Sequence, residues 1–310
     1  MAEQINEYIF FDNKFRRLVN KNARVLKLYD QCLWAEGPVY FPNADMLVWS
    51  DIPNNRQLRW VPDVSGPGGQ VSVFRQPANN SNGNTRDYQG RQVTCEHGAR
   101  RVTRTEYDGS ITVLADNYQG KRLNSPNDVV VKSDGTVWFT DPPYGHVSSY
   151  EGFRGESELG GNFVFRFDPK DNSLTIVEDS FTNPNGLAFS PDEKYLFIAD
   201  TGRSFDPEGP QHVRKFAVSE DNKLSGGQVF CSTDVGATDG FRFDIFGNLW
   251  SSAGDGVHCF DPGGECLGKI LVPEVVSNLA FGGPKRNRLF MTATTSLYAV
   301  YLLTDGLPTP

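Results

Sequence analysis

One unit recurs six times along the sequence, and this repeat constrains the fold more than any other feature. In each copy a polar residue opens a short apolar strand, a turn rich in Pro, Asp, Gly and Asn follows, and a second apolar strand comes next. The copies begin at Glu36, Asn82, Asn127, Asn185, Asp239 and Asn278. Their starts are 46, 45, 58, 54 and 39 residues apart, which is the length of one propeller blade.

Six such units predict an all-β fold, a six-bladed β-propeller with four-stranded antiparallel blades around a central channel. We expect one domain over residues 1–310, with residues 1–20 as an arm or short helix outside the repeat. The tail 296–301 has no repeat after it, so it is expected to pair with an N-terminal strand such as 23–26 and close the ring. Two β-sandwiches are the competing fold, but they do not predict six similarly headed units.

The composition limits the partners of the chain. Hydrophobic residues make up 38% and aromatic residues 12%, as in soluble globular proteins, and the net charge of −8 argues against nucleic acids and anionic membranes. No run approaches 18 apolar residues, and the N-terminus lacks the basic region of a signal peptide. The five cysteines form no C-x-x-C motif and are expected to be free thiols. A cytoplasmic monomer or weak homodimer is therefore the expectation.

The opening residues of the repeats predict a metal site. The innermost strands of a propeller line the channel, so equivalent residues form a ring near one mouth, and here every member offers an oxygen donor. Such donors suit a hard divalent cation, with Ca²⁺ favoured and Mg²⁺, Mn²⁺, Zn²⁺ or Fe²⁺ as alternatives. Asn-Gly and Asp-Gly are also common turn pairs. The hairpin turns, however, are expected elsewhere, at 134–135, 191–193 and 246–247.

Four motifs in the same order also resemble those of the gluconolactonase, regucalcin and luciferin-regenerating-enzyme family. The motifs are Glu36-Gly37-Pro38-Val39, Ser125-Pro126-Asn127-Asp128, Pro184-Asn185-Gly186-Leu187-Ala188-Phe189 and Thr238-Asp239-Gly240. The resemblance covers residues 30–303, and the second blade, with Cys95-Glu96-His97-Gly98, looks like that of the bacterial gluconolactonase-type branch. It implies a metal-dependent lactonase whose substrate is a small sugar lactone.

The resemblance also implies roles for individual residues. Glu36, Asn185 and Asp239 would be metal ligands, and Asn127 would be a fourth ligand or a substrate contact. Asp128 would contact substrate hydroxyls or support the ligands, and Arg122 would be the equivalent of a sugar-binding arginine. Asn82, in the ring of the second blade, is expected among the substrate contacts.

Lactone hydrolysis needs a polarised carbonyl, which the cation supplies, and a base that activates water. Asp239 is one candidate base, although its role as a ligand would lower its basicity. His97, which is expected to end an inner strand near the mouth, is its rival. The sequence contains no G-x-S-x-G nucleophile motif. A phosphotriesterase or other metal-dependent esterase, and a calcium-binding propeller without catalysis, are the alternative functions.

Overall fold

A computed structural model describes residues 3–64, 66 and 68–308. It contains six antiparallel sheets that are arranged as a six-bladed β-propeller, so the predicted fold is confirmed. Three strands precede the first blade: β1 (Glu3–Ile5), β2 (Tyr8–Phe10) and β3 (Leu26–Tyr29). Among the described residues, no helix is long and apolar enough to cross a membrane.

The first three blades are built from consecutive strands, and the innermost strand is named first. Blade 1 comprises β4 (Ala35–Phe41), β5 (Met46–Asp51), β6 (Arg56–Pro62) and β7 (Gly69–Arg75). Blade 2 comprises β8 (Ser81–Arg86), β9 (Gln92–Glu96), β10 (Arg101–Thr105) and β11 (Ile111–Ala115). A short hairpin follows, made of β12 (Asn117–Tyr118) and β13 (Lys121–Arg122). Blade 3 comprises β14 (Val129–Val131), β15 (Val137–Asp141), β16 (Phe163–Asp168) and β17 (Ser173–Glu178), with helix α1 (Tyr144–Val147) between β15 and β16.

The other three blades follow the same plan. Blade 4 comprises β18 (Pro184–Phe189), β19 (Tyr195–Asp200), β20 (His212–Val218) and β21 (Leu224–Cys231). Blade 5 comprises β22 (Phe241–Phe243), β23 (Leu249–Ala253), β24 (Gly256–Phe260) and β25 (Cys266–Leu271). Blade 6 comprises β26 (Val276–Gly282), β27 (Arg288–Ala293) and β28 (Ser296–Tyr301) and is completed by β3.

The two ends of the chain close the ring. β28 pairs with β3, with Leu297 opposite Tyr29, so the predicted pairing of the tail with an N-terminal strand is confirmed. The strand begins at Leu26, three residues later than the start predicted from the sequence. Of the predicted arm, Met1 and Ala2 lie outside the described residues, and β1 and β2 form a hairpin that adds to the outer edge of blade 5. Both additions cover edge strands that would otherwise expose unpaired backbone groups.

The hydrophobic core lies between neighbouring blades. Trp138 on β15 packs with Leu196 and Phe216 of the next blade, and Trp250 on β23 packs with residues of blade 6. Both tryptophans are fully buried and stand at the same position of their repeats. The blades are thus held together by side chains on the two faces of each sheet, as the alternation of a twisted β-sheet requires.

Glycines bring the inner strands of adjacent blades into close contact. The Gly186 N–H donates to the Asp239 carbonyl at 3.0 Å, and the Gly83 N–H donates to the Asn127 carbonyl at 2.8 Å. A Cβ atom at Gly186 would lie 2.0 Å from the Asp239 oxygen, and one at Gly83 would lie 2.4 Å from the Asn127 oxygen. These glycines are therefore required by the approach of two backbones, whereas the hairpin turns lie at the predicted positions, with positive φ at Gly135, Glu193 and Gly247.

Candidate metal centre and active site

The six opening residues of the repeats lie at the start of the innermost strands, where they form a ring around the channel. This ring consists of Glu36, Asn82, Asn127, Asn185, Asp239 and Asn278. Five of its members are at most 5% exposed, and Asp239 is half-buried. Each position lies in, or one to two residues before, an innermost strand that pairs with the second strand of its blade.

The amide side chains of the ring form a continuous chain of hydrogen bonds. Asn82 Nδ2 donates to Asn127 Oδ1 at 2.5 Å, and Asn127 Nδ2 donates to Asn185 Oδ1 at 2.6 Å. On the other side of the channel, Asn278 Nδ2 donates to Glu36 Oε2 at 3.2 Å. Members of the ring from different blades are therefore in direct contact.

Burial and neighbouring negative charges disfavour ionisation of the two carboxyl groups of the ring. Burial raises the pKa of Glu36 to about 8, with the charge of Asp128 adding to the effect. Burial and then the charge of Glu36 raise the pKa of Asp239 well above its ordinary value, and a hydrogen bond from Asn185 only partly offsets this. Because a like charge within a few ångströms disfavours the ionised form, these shifts place Glu36 and Asp239 near each other.

This donor set fits a divalent cation. Among the described residues, neither Glu36 nor Asp239 forms an ion pair with a basic side chain, so no positive charge of the protein compensates these two carboxylates directly. Two carboxylates and several amide carbonyls are the ligands that hard cations prefer, and a bound cation would favour ionisation of both carboxyl groups. The residues that would hold it are Glu36, Asn127, Asn185 and Asp239.

Asp128 lies deeper in the channel than the ring. Its Oδ1 accepts from the Val129 N–H at 2.9 Å, its Oδ2 is buried without a hydrogen bond, and Arg242 Nη1 lies 3.7 Å from that oxygen. Burial raises its pKa, and the charge of Arg242 opposes that rise. Asp128 occupies the position that glycine takes after Glu36, Asn82, Asn185 and Asp239. This carboxylate therefore stands behind the ring, between it and Arg242.

His97 lies at the ring, on the side of the mouth. It directly follows β9, the second strand of blade 2. Its Nε2 is 3.1 Å from Asn127 Oδ1 and 3.3 Å from Asn82 Nδ2, and its imidazole is fully buried. Burial lowers the pKa of His97 to about 4, so the imidazole is neutral at neutral pH.

A carboxylate that the sequence analysis missed approaches His97 from above. Glu151 Oε2 lies 3.5 Å from His97 Nδ1, and burial raises the pKa of Glu151 to about 7. Glu151 belongs to the segment between β15 and β16, residues 144–161, which we call the crossing loop. No repeat or motif distinguishes Glu151 from the other carboxylates of this loop, because its role depends on where the loop crosses the mouth.

Arg122 is not brought to the ring. It is exposed on β13, its backbone N–H donates to Glu158 Oε2 at 2.9 Å, and its guanidinium has no hydrogen bond or ion pair with the six ring residues, all of which are described. Thr201 is a second residue that the sequence analysis missed. Its Oγ1 accepts from Asn185 Nδ2 at 3.1 Å and contacts the Tyr144 hydroxyl at 2.6 Å.

A second group of metal-binding residue types lies in blade 5, away from the ring. Asp234, Asp255 and His258 have ligand atoms within 4.8 Å of one another. Lys269 Nζ lies in the same cluster, 2.6 Å from Asp234 Oδ1 and 3.1 Å from Asp255 Oδ2. The ammonium group already supplies the positive charge there, so the ring is the better candidate for a metal.

A cavity of about 1130 Å³ opens at the other end of the channel. Its wall combines apolar residues from the far ends of the inner strands, such as Val39, Phe189 and Phe281, with the guanidinium of Arg242. Arg242 lines this cavity and faces Asp128, so the pair lies between the cavity and the ring, and the crossing loop lies over the opposite mouth of the channel.

Comparison with known proteins identifies a family, a curated relative and two solved structures. Residues 34–295 match the family model described as the SMP-30/Gluconolactonase/LRE-like region. A gluconolactonase of Zymomonas mobilis is 35% identical over 297 residues, which cover 88% of this chain and 80% of that protein. The solved structure of a Xanthomonas campestris gluconolactonase is 40% identical, with a TM-score of 0.87 and coverage of 94% of this chain and 93% of that one.

A calcium-binding regucalcin from Agrobacterium tumefaciens shares the fold. Its structure has a TM-score of 0.71 and covers 93% of this chain and 96% of its own. The identity is 18%, so this likeness concerns the architecture alone.

Proposed function

The chain belongs to the SMP-30/gluconolactonase/LRE-like family, and we propose that it is a metal-dependent lactonase that opens a small sugar lactone. The observation that carries the proposal is the ring itself, in which Glu36 and Asp239 are brought together with amide side chains at one mouth of the channel. The gluconolactonase from Zymomonas mobilis, at 35% identity over most of both chains, supports the same reaction class.

Glu36, Asn127, Asn185 and Asp239 would hold the cation, and their oxygen donors favour Ca²⁺ over metals that prefer nitrogen or sulfur ligands. When bound, the cation polarises the lactone carbonyl and stabilises the negative charge that develops on its oxygen. The remaining residues of the pocket bind and orient the substrate. Asn82 and His97 lie on the side of the ring that faces the mouth, and their side chains are available to hydrogen-bond the hydroxyl groups of a sugar lactone.

Two of the residues that the sequence suggested as substrate contacts take different roles in this proposal. Asp128 supports the ring electrostatically from behind, because its partners are the Val129 N–H and Arg242. Arg122, exposed on β13, is left without a role at the ring. As for the base, Asp239 would be a ligand, and the depressed pKa of His97 makes its neutral imidazole a weak proton acceptor.

The test is hydrolysis of glucono-1,5-lactone followed in a pH-stat, with the uncatalysed rate subtracted. Metal-stripped protein is compared with protein to which Ca²⁺, Mg²⁺, Mn²⁺ or Zn²⁺ has been returned. We expect activity to disappear on stripping and to return with a divalent cation. If no cation supports hydrolysis of this or related lactones, the proposal fails. Turnover of a phosphotriester, or metal binding without turnover, would then identify an alternative function.

A further inference from the structure

The crossing loop is fixed above the ring by contacts with three other parts of the propeller. At its start, Tyr144 contacts Thr201 of blade 4. In its middle, the Tyr150 hydroxyl donates to the Leu33 carbonyl, just before blade 1, at 3.3 Å. Phe153 lies against Gly98, which follows β9 of blade 2. These anchors on three sides place the intervening Glu151 over the mouth that leads to the ring.

Glu151 is the carboxylate of this loop that is directed toward the ring. Its side chain is 21% exposed, whereas Glu156 and Glu158 of the same loop are exposed. Its negative charge raises the pKa of both Glu36 and Asp239, so the carboxylate lies within electrostatic reach of the proposed metal ligands. Glu151 is therefore positioned on the side of the ring from which a lactone would enter.

His97 connects Glu151 to the ring. Two neighbours of His97 Nε2 favour opposite tautomers: Asn127 Oδ1 at 3.1 Å accepts, and Asn82 Nδ2 at 3.3 Å donates. When Nε2 accepts from Asn82, the proton of the neutral imidazole is on Nδ1, which is directed toward Glu151 and is buried without another hydrogen-bond partner. The separation of 3.5 Å is slightly longer than a hydrogen bond, as is common for catalytic pairs before substrate binds. In that tautomer the Nδ1–H of His97 would hold the ionised Glu151 carboxylate in place.

We infer that Glu151 is the general base of lactone opening and that His97 is the residue that positions it, an inference that rests on the proposed function. The Glu151 carboxylate takes a proton from water as the water oxygen bonds to the lactone carbonyl carbon. It returns that proton to the endocyclic ester oxygen of the lactone as the bond between this oxygen and the carbonyl carbon breaks. The products are the open hydroxy acid and the original carboxylate, so protons and electrons balance without any further reactant.

The electrostatic surroundings of Glu151 agree with this role. The titratable groups that face it are His97 on blade 2, Glu36 and Asp239 of the ring, and Tyr144 and Tyr150 of its own loop. Burial raises its pKa to about 7. A base is most effective when its pKa is near the working pH, because it is then both ionised and basic enough to accept a proton.

The experiment compares Glu151→Gln with Glu156→Gln, a matched change at an exposed carboxylate of the same loop. For Glu151→Gln we expect kcat for glucono-1,5-lactone to fall about 10²–10⁴-fold, the usual contribution of general-base catalysis. The wild type should show a kcat that rises with pH as Glu151 ionises, and this limb should be absent from the variant. Calorimetric Ca²⁺ affinity should change by less than about tenfold, because Glu151 is not a ligand.

Chemical rescue separates a base from a structural residue. Formate added to Glu151→Ala should restore part of the lost kcat, because a small carboxylate can enter the space that the side chain left, whereas formate should not affect Glu156→Gln. Wild-type-like kcat and pH dependence in Glu151→Gln, with active wild-type enzyme, would overturn this inference alone. A wild type that hydrolyses no lactone with any cation would overturn the proposed function and this inference with it.

Discussion

Arg242 Nη1 lies 3.7 Å from the buried Asp128 Oδ2, directly behind the ring. The guanidinium also donates to the Phe241 carbonyl at 2.7 Å, so it is held in place at the boundary between the ring and the far cavity. It is the positive charge nearest to Asp128, whose carboxylate has no hydrogen bond at Oδ2. This pair is therefore expected to contribute to both stability and the charge of the channel.

We expect Arg242→Met to lower the free energy of unfolding by about 2–4 kcal/mol, because it leaves a buried carboxylate without its compensating charge. Urea denaturation of the metal-free protein measures this change. Asp128→Asn should remove most of the penalty when it is combined with Arg242→Met. Strictly additive effects of the two substitutions would show that the guanidinium and the carboxylate do not interact.

Removal of one ring carboxylate should abolish metal binding without unfolding the propeller. For Glu36→Gln and Asp239→Asn we expect loss of Ca²⁺ binding by calorimetry, loss of lactonase activity, and loss of the rise in melting temperature that Ca²⁺ gives the wild type. The control is Asp234→Asn in the blade 5 cluster, where Lys269 already provides the positive charge. Unaltered Ca²⁺ binding by both ring variants, or its loss in Asp234→Asn, would contradict the assignment.

Glu274 is expected to make the stability of blade 6, the blade that closes the propeller, dependent on pH in the acid range. It accepts hydrogen bonds from Thr295 N–H at 2.7 Å and from the Tyr298 hydroxyl at 2.7 Å, and with the Ser296 hydroxyl these lower its pKa to about 2. A depressed carboxyl pKa stabilises the folded state above the unfolded value of about 4.3, and this contribution disappears as pH falls toward the folded value.

Glu274→Gln should therefore cost about 1 kcal/mol at pH 7, a figure reduced for solvent screening because the group is partly exposed. The difference from the wild type should shrink steadily when urea unfolding is repeated between pH 5 and pH 3. Glu265→Gln, an exposed carboxylate for which no such cluster of hydrogen bonds is present, is the control. A difference that is independent of pH would show that the carboxylate charge is not involved.

The close contact of inner strands predicts that even a small side chain at Gly186 disturbs the ring. In Gly186→Ala the new methyl group would need to move the Asp239 carbonyl, which lies 2.0 Å from the ideal Cβ position. We expect a loss of stability of about 1–3 kcal/mol, as for other overpacked sites, together with weaker Ca²⁺ binding. Gly155→Ala, where the nearest atom is 3.9 Å from the ideal Cβ, should behave like the wild type in both assays.

The sequence predicted the part of the site that belongs to the repeat. Glu36, Asn185 and Asp239 are found together because equivalent positions of a propeller must meet at the channel, whatever their distance along the chain. The start of β3 was displaced by three residues, since a single short strand has no repeat to fix its register.

The residues that the sequence did not reveal depend on contacts outside the repeat. Glu151 reaches the ring only because Tyr144 and Tyr150 anchor the crossing loop on other blades. Nothing in the sequence distinguishes Arg242 from other polar residues of β strands. Its contact with Asp128 arises only because blades 3 and 5 lie around the same axis. Such pairings between distant segments leave no local pattern in a single sequence.

The backbone contacts at Gly83 and Gly186 have a consequence for the evolution of metal choice in this ring. Because hydrogen bonds between backbone groups hold these neighbouring inner strands at contact distance, they limit how far the diameter of the ring can change. Exchanges among Glu, Asp, Gln and Asn at the ring would change the charge and the length of the side chains without changing the diameter of the ring. We therefore expect selectivity among divalent ions to be tuned by the identity of the donors while the diameter stays the same.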